Sequence, residues 1–308
     1  MTGQAGSWVL VVGNIVLDVL VRQADLGGGP AQDRWGSNVQ LLAEPVTPVL
    51  GGCGAATSYV LGRLGQPVRL VTNIGMDPWG VLVREWLRQA GVEVLPSVAR
   101  DTAVHVILLS PEGRRRSAYY AGSKVDWEAR WPGPAPSWLA AAGYAAVDQG
   151  DLVCLGRAFA AARSAGTRVL FDPGPWFQGR VGPEAMRALW SAVDCLAGTE
   201  EELGHWLDGQ VGEELARAAR ASGPACVVVK RGRQGAAYAT AQECGSAPAE
   251  PLERGNSTGA GDTFNGRLLW GLARGEALAG AVAGAVDLAT RVVQRGRGAL
   301  GAFDAPRP

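Results

Sequence analysis

The stretch Asn256-Ser-Thr-Gly-Ala-Gly-Asp262-Thr-Phe-Asn-Gly266, continuing as Arg267-Leu-Leu-Trp-Gly-Leu272, reads as a glycine turn that opens into a helix. Phe264, Leu268, Leu269 and Leu272 recur at the spacing of one helical face, so the helix begins near Gly261. Glycines at 259 and 261 permit a tight turn whose free N–H groups converge at the helix start, an arrangement suited to a phosphate. Asp262, fixed at that turn, is placed to take a proton from a hydroxyl. The same aspartate also suits a plain N-cap, and this segment alone does not separate the two readings.

A second glycine turn, Gly51-Gly-Cys-Gly-Ala-Ala-Thr-Ser-Tyr, enters another amphipathic helix that ends at Arg63-Leu-Gly65. Neither G-x-G-x-x-G nor the P-loop pattern occurs here, which argues against a dinucleotide site and a Walker ATPase. Between and beyond these turns, short apolar runs (8–12, 68–72, 145–147, 169–171, 226–229) alternate with helical patterns (55–64, 80–90, 155–164, 186–193, 215–221). That rhythm predicts an α/β fold with a mostly parallel central sheet covered on both faces. Asp18 follows Gly13 by five residues, at the end of the first strand, where such sheets present their ligand crevice. Segments 19–49 and 92–120 lack a helical period. The runs 105–109 and 116–120, joined by Pro111-Glu-Gly, read as a strand pair, so both segments are expected in a small β-layer able to cover a site. Residues 131–136 read as a surface loop.

The chain has 308 residues, 47% hydrophobic and 19% charged, with 29 basic and 29 acidic side chains. It is expected to form a single domain spanning 1–308. The charges cancel, so no overall field draws it to nucleic acid or an anionic membrane. Five scattered cysteines without a C-x-x-C pair favour a reducing cytoplasm over a disulfide or zinc framework. Two histidines a hundred residues apart give no support to a histidine-built metal site or triad. No apolar stretch is long enough to span a bilayer, and the N-terminus carries no signal-peptide pattern.

Taken in order, these segments resemble the ribokinase-like, or PfkB-type, family of carbohydrate and nucleoside kinases, from about residue 8 to residue 300. The series comprises Gly13 with Asp18, the Gly51-Gly52 turn, Gly75-Met-Asp77-Pro-Trp-Gly80, Gly113-x-x-Arg116, Asp172-Pro173, Glu200-Glu-Glu202-Leu, Gly232-Arg-Gln-Gly235 and Thr258-Gly-Ala-Gly-Asp262. The resemblance implies a three-layer α/β/α core with a small β-sheet lid, and ATP with magnesium as co-substrates. In some members the lids pair into a homodimer. It makes Asp262 the general base and the amides of Gly259, Ala260 and Gly261 an anion hole. Asn14, Asp18, Gly51, Gly52, Ala56, Arg116 and Asp148 fall at substrate-contacting positions. Thr199, Lys230, Gly232 and Gly235 fall on the ATP side, Glu202 acts on magnesium through water, and Asn256 stands where some relatives hold a monovalent cation.

Departures narrow the expectation. Ala56 replaces an asparagine, Cys53 a lysine and Val16 an asparagine of ribokinases proper, which makes ribose itself a poorer fit. Thr199 replaces an asparagine, Lys230 a threonine, and Gly174 an asparagine; the Lys230 ammonium could reach phosphate as a point charge. Asn256 replaces an aspartate, and its neutral amide weakens the attraction for a cation. Arg114 to Arg116 read mainly as a solvated hairpin tip, and His105 as a packing residue of the lid. The leading reading is an ATP-dependent kinase for a small sugar or sugar-like alcohol. The alternatives are a nucleoside kinase of the same fold and a non-catalytic nucleotide- or sugar-binding protein.

Overall fold

A computed structural model describes residues 7–24, 34–35, 39–95, 98–112, 114–128, 131, 133–144, 147–207, 209–252 and 255–304. The chain opens with β1 (Val9–Val12) and β2 (Val16–Arg22), passes the short β3 (Arg34–Trp35) and β4 (Val39–Gln40), and returns through β5 (Thr47–Gly51) into α1 (Cys53–Arg63). There follow β6 (Val68–Val71), β7 (Ile74–Gly75), α2 (Pro78–Gln89), β8 (Val92–Leu95), β9 (Val98–Ala99), β10 (Ala103–Leu109) and β11 (Arg115–Tyr120). The next run is β12 (Trp138–Ala142), α3 (Gln149–Ser164), β13 (Arg168–Asp172), α4 (Pro183–Trp190), β14 (Cys195–Thr199), α5 (Glu200–Gly204), α6 (Gly212–Ala221) and β15 (Cys226–Lys230). A 3-10 turn at Gly232–Gln234 leads to β16 (Ala236–Ala239), β17 (Cys244–Ala247), α7 (Ala260–Ala273), α8 (Leu278–Arg295) and α9 (Gly298–Gly301).

Nine strands form one sheet in the order β17-β16-β15-β14-β13-β12-β1-β6-β8, parallel from β15 to β8 with β16 and β17 antiparallel at one edge. The period-2 alternation of its strands sends residues to opposite faces. Val9 and Val11 pack under Tyr59, Leu87, Leu268 and Val282 of α1, α2, α7 and α8. Leu10 and Val12 belong to the opposite core with Phe159, Leu189 and Leu215 of α3, α4 and α6. Burial on both faces explains why β1 and β15 read as unbroken apolar runs. Helix starts are chemically marked: Asp77 caps α2 ahead of Pro78, and Asp148 caps α3 in a reciprocal capping box with Asp151.

The small layer is a four-stranded sheet, β11-β10-β2-β5, standing over the C-terminal ends of the parallel strands. The pair at 105–109 and 116–120 is present as β10 and β11, in antiparallel register. Three expectations change. Asp18, expected at the end of the first strand, lies inside lid strand β2, paired with β10 on one side and β5 on the other. Val92–Leu95 is the edge strand of the large sheet and not part of the lid, because it pairs with β6 in parallel. The strand before α3 is Trp138–Ala142; Val147 is irregular, and Ala145 and Ala146 lie outside the described residues. Also outside them lie 25–33, 36–38 and 96–97 of the expected lid, Gly113 of the hairpin turn and Pro132 of the expected loop. No helix among the described residues is long and apolar enough to cross a membrane.

Candidate active site

A cleft of about 980 Å³ runs between the inner face of the lid and the carboxyl ends of the parallel strands. Its wall on one side is the start of α7. Gly259 takes the left-handed conformation (φ 77°) as N-cap, which a side chain would strain, and its Cβ would press on Gly298. Thr263 N donates to Gly259 O and Ala260 N to Ser257 O, so the amide of Ala260, expected in the anion hole, is already spent. The amides of Gly259, Gly261 and Asp262 have no acceptor among the described residues, and these are the donors the helix start offers to an anion.

Asp262 lines the cleft, and its carboxylate accepts no hydrogen bond from the described residues. Burial raises its pKa to about 7; the carboxylates of Asp172, Asp18 and Glu202 add to the effect, and the Lys230 ammonium opposes it. Lys230, at the end of β15, is held by Asp172 at 2.6 Å, and Asn265 bridges the pair by donating to the same Asp172 oxygen at 2.7 Å. Burial alone would lower the Lys230 pKa, but the charges of Asp172 and Glu202 outweigh it and keep the ammonium protonated. Lys230 also lies close to the α7 start, its Nζ 3.8 Å from where a Cβ on Gly261 would sit. It therefore faces the anion-binding turn from below.

Across the cleft, Asn14 follows β1 and organises the second glycine turn. Its Oδ1 accepts from Cys53 N at 2.9 Å, and its backbone carbonyl accepts from Gly54 N and Ala55 N, closing the start of α1. A Cβ on Gly51 would lie 2.6 Å from Asp18 Cγ, so this glycine lets Asp18 approach, whereas Gly52 (φ 85°) makes room for the backbone of Asn14, whose carbonyl oxygen would lie 2.6 Å from a Cβ there. The Cys53 thiol is pushed far up by burial and by the Asp262 charge, which removes it as a nucleophile. Tyr144, after β12, donates to Glu202 Oε1 at 2.7 Å.

Several expected contacts stand elsewhere. Asp148 is an exposed N-cap, ion-paired with Lys124 and absent from the cleft lining, because the strand before it ends at Ala142 and the chain turns away. Arg116 points away from the cleft; strand alternation gives that face to Arg115, Ser117 and Tyr119. Ala56 is fully buried in α1 against the core and touches no open space. His105, expected to pack, lines the cleft beside Asp18. Thr199, Lys230, Gly232 and Gly235 all line the other end, where Gly235 (φ 85°) leaves room for Ala247 O. Tyr119 and Trp176 belong to no glycine-spaced motif and carried no sequence signal, while Asn265 lies within the 256–266 stretch and was given no role there.

The cation positions separate. Glu202 is buried, and its two oxygens each accept one hydrogen bond, from the Tyr144 hydroxyl and from Thr199 N, which leaves each a lone pair that fits the water shell of a magnesium ion. Asn256 Oδ1 accepts from both Thr258 N and Thr258 Oγ1, while its Nδ2 is buried with no partner among the described residues. That side chain offers an N–H and no free oxygen, so it does not fit a monovalent cation.

The family described as pfkB family carbohydrate kinase matches residues 9–302. A fructokinase of Klebsiella pneumoniae is 27% identical over 236 residues, covering 72% of this chain and 76% of the relative. The uncharacterized sugar kinase YegV of Escherichia coli K12 is 26% identical over 297 residues, covering 89% and 84%. Among solved structures, a ribokinase from Thermotoga maritima superposes with a TM-score of 0.75 at 22% identity, covering 97% and 96% of the two chains. The Arabidopsis thaliana ribokinase complexed with ribose and ATP gives 0.75 at 20% identity, covering 96% and 95%. The ribokinase-like fold follows from these superpositions.

Proposed function

Because the chain belongs to the pfkB family of carbohydrate kinases, whose members are ATP-dependent phosphotransferases, we propose that it moves the γ-phosphoryl group of ATP to a hydroxyl of a small sugar, with Asp262 as base. The observation that carries this reading is the unpaired Asp262 carboxylate, its pKa raised to about 7, at a helix start with free amides and across one cleft from Asp18. A carboxylate ionised near neutrality can accept the hydroxyl proton as the oxygen attacks. The new O–P bond forms while the bond from Pγ to the bridging oxygen breaks, and ADP leaves with that electron pair. The amides of Gly259 and Gly261 and the Lys230 ammonium would face the charge on the transferred group. Asn14 and Asp18 would hold the sugar, with the glycine turn admitting it close to the backbone. Magnesium, when bound with the nucleotide, supplies charge neutralisation at the phosphates, and Glu202 would hold its water shell.

The test is ADP release over a panel of neutral sugars, sugar acids and nucleosides, with ATP and magnesium, for the wild type and Asp262→Asn. Turnover of a sugar that falls by three orders of magnitude or more in the variant supports the reading. Nucleoside turnover without sugar turnover would move the assignment to the nucleoside branch. ATP binding with no turnover of any class would make the protein a binding module.

A further inference from the structure

Three lid strands each carry a chemically active side chain at one register position. Asp18 of β2 pairs with His105 of β10, and His105 pairs with Tyr119 of β11, so all three share the lid face that looks into the cleft, and all three line it. His105 Nδ1 stands 3.3 Å from Asp18 Oδ1. The imidazole meets the Tyr119 ring edge-on at 5.5 Å, and Trp176 adds a second ring 6.0 Å from Tyr119. The Tyr119 hydroxyl accepts from Asn14 Nδ2 at 3.3 Å, which ties the row to the glycine turn. The next row on the same face, two residues along, joins the fully buried Leu20 and Ile107 to Ser117 of β11, which lines the cleft.

Nδ1 is the ring nitrogen that faces Asp18, and a proton carried there leaves Nε2 as an acceptor. The Tyr119 hydroxyl, accepting from Asn14, keeps its own hydrogen to donate. Resting on the kinase reading above, we propose that His105 is a specificity-determining residue whose Nε2 accepts from a second hydroxyl of the sugar, next to the one held by Asp18. The substrate is then a neutral sugar with a vicinal diol lying against Tyr119 and Trp176. Asp18 and Asp262 both contribute negative charge to this end of the cleft and disfavour an anionic group there. Arg115 also lines the cleft, four residues along β11 from Tyr119, its Cα roughly 13 Å from this row.

The experiment compares the wild type, His105→Phe and His105→Gln on the best neutral sugar of the panel and on each of its monodeoxy analogues. Phenylalanine keeps a ring against Tyr119 and removes both nitrogens; glutamine restores a polar end. The expected result is a rise of about tenfold or more in KM for the sugar in His105→Phe, with KM for ATP within twofold and substantial recovery in His105→Gln. One deoxy analogue, poor for the wild type, should serve His105→Phe as well as the parent sugar does. Unchanged discrimination against every deoxy analogue in His105→Phe would overturn the proposal and leave His105 a packing residue. A wild type that prefers sugar acids would overturn the neutral-substrate assignment with the kinase reading intact. Absence of turnover with any sugar would remove both.

Discussion

Asp262 combines two roles that pull against each other. Because its folded pKa is raised above the usual carboxylate value of 3.8 to about 7, the folded state binds a proton more tightly than the unfolded chain. Stability contributed by this group therefore declines as pH rises from about 4 to about 7, and the full penalty stands above 7. Asp262→Asn is expected to raise Tm at pH 8, to lose that gain below pH 4, and to abolish turnover at every pH; thermal melts and steady-state rates at a series of pH values check all three. For the wild type, kcat/KM should fall as pH drops below about 7, when the base is protonated. Lys230→Met removes the one charge named as opposing that shift, so the acid limb should move to higher pH, by a unit or more. The same change strands the Asp172 carboxylate in a buried site and should cost about 3 kcal/mol or more in denaturant unfolding. Residues such as Asp262, Asp18 and Asn14 were legible because each is tied to a glycine turn at fixed spacing. His105, Tyr119 and Trp176 were not, since which strand residue faces a cleft depends on register with neighbours that a single chain does not display.

The elements around the site are positioned by close backbone approaches. A Cβ on Gly54 would lie 2.6 Å from the carbonyl carbon of Gly13, so β1 and α1 meet at a distance only glycine permits. At Gly51 the same crowding involves Asp18, and Gly51→Ala should displace the carboxylate, raising KM for the sugar tenfold or more while KM for ATP stays within twofold. The motif Gly75-Met-Asp77-Pro-Trp-Gly80 has a different task. Asp77 accepts from Gly80 N at 2.7 Å, Thr102 N at 2.7 Å and Thr102 Oγ1 at 2.8 Å, fastening the start of α2 to the entry of β10 in the lid. Asp77→Ala is expected to lose about 1–3 kcal/mol in urea unfolding, through the cap and the donors it leaves unpaired. The helices were readable from their periodicity because one face is apolar, as in α2 and α6. The strands β12 and β14 were not, because Trp-Leu-Ala-Ala-Ala and Cys-Leu-Ala-Gly-Thr are poor in the branched residues that mark strands, and their burial in the sheet overrides weak propensity.

The layered architecture itself was legible because strand and helix alternate in sequence and right-handed crossovers leave few ways to stack them. What the sequence pattern did not disclose is how the lid is joined to the nucleotide side, because the contact spans most of the chain. Arg22, at the end of lid strand β2, donates to Gly296 O at 2.6 Å and to Thr47 Oγ1 at 3.1 Å. Gly296 is the left-handed C-cap of α8 (φ 63°), and Thr290 and Val293 of that helix line the cleft where the proposed function seats the nucleotide. The neighbouring Gly298, at the start of α9, lies within 3.6 Å of Val49 and Leu50 of lid strand β5, measured from its ideal Cβ. Lid and nucleotide wall are therefore one mechanical path, and a ligand that orders either end is expected to favour binding at the other by an equal factor. Arg22→Ala should cut that mutual enhancement toward unity while each ligand's separate Kd changes by less than threefold. Calorimetric titration of the sugar with and without a non-hydrolysable ATP analogue measures it, and enhancement equal to that of the wild type would show that the link through Arg22 carries no coupling.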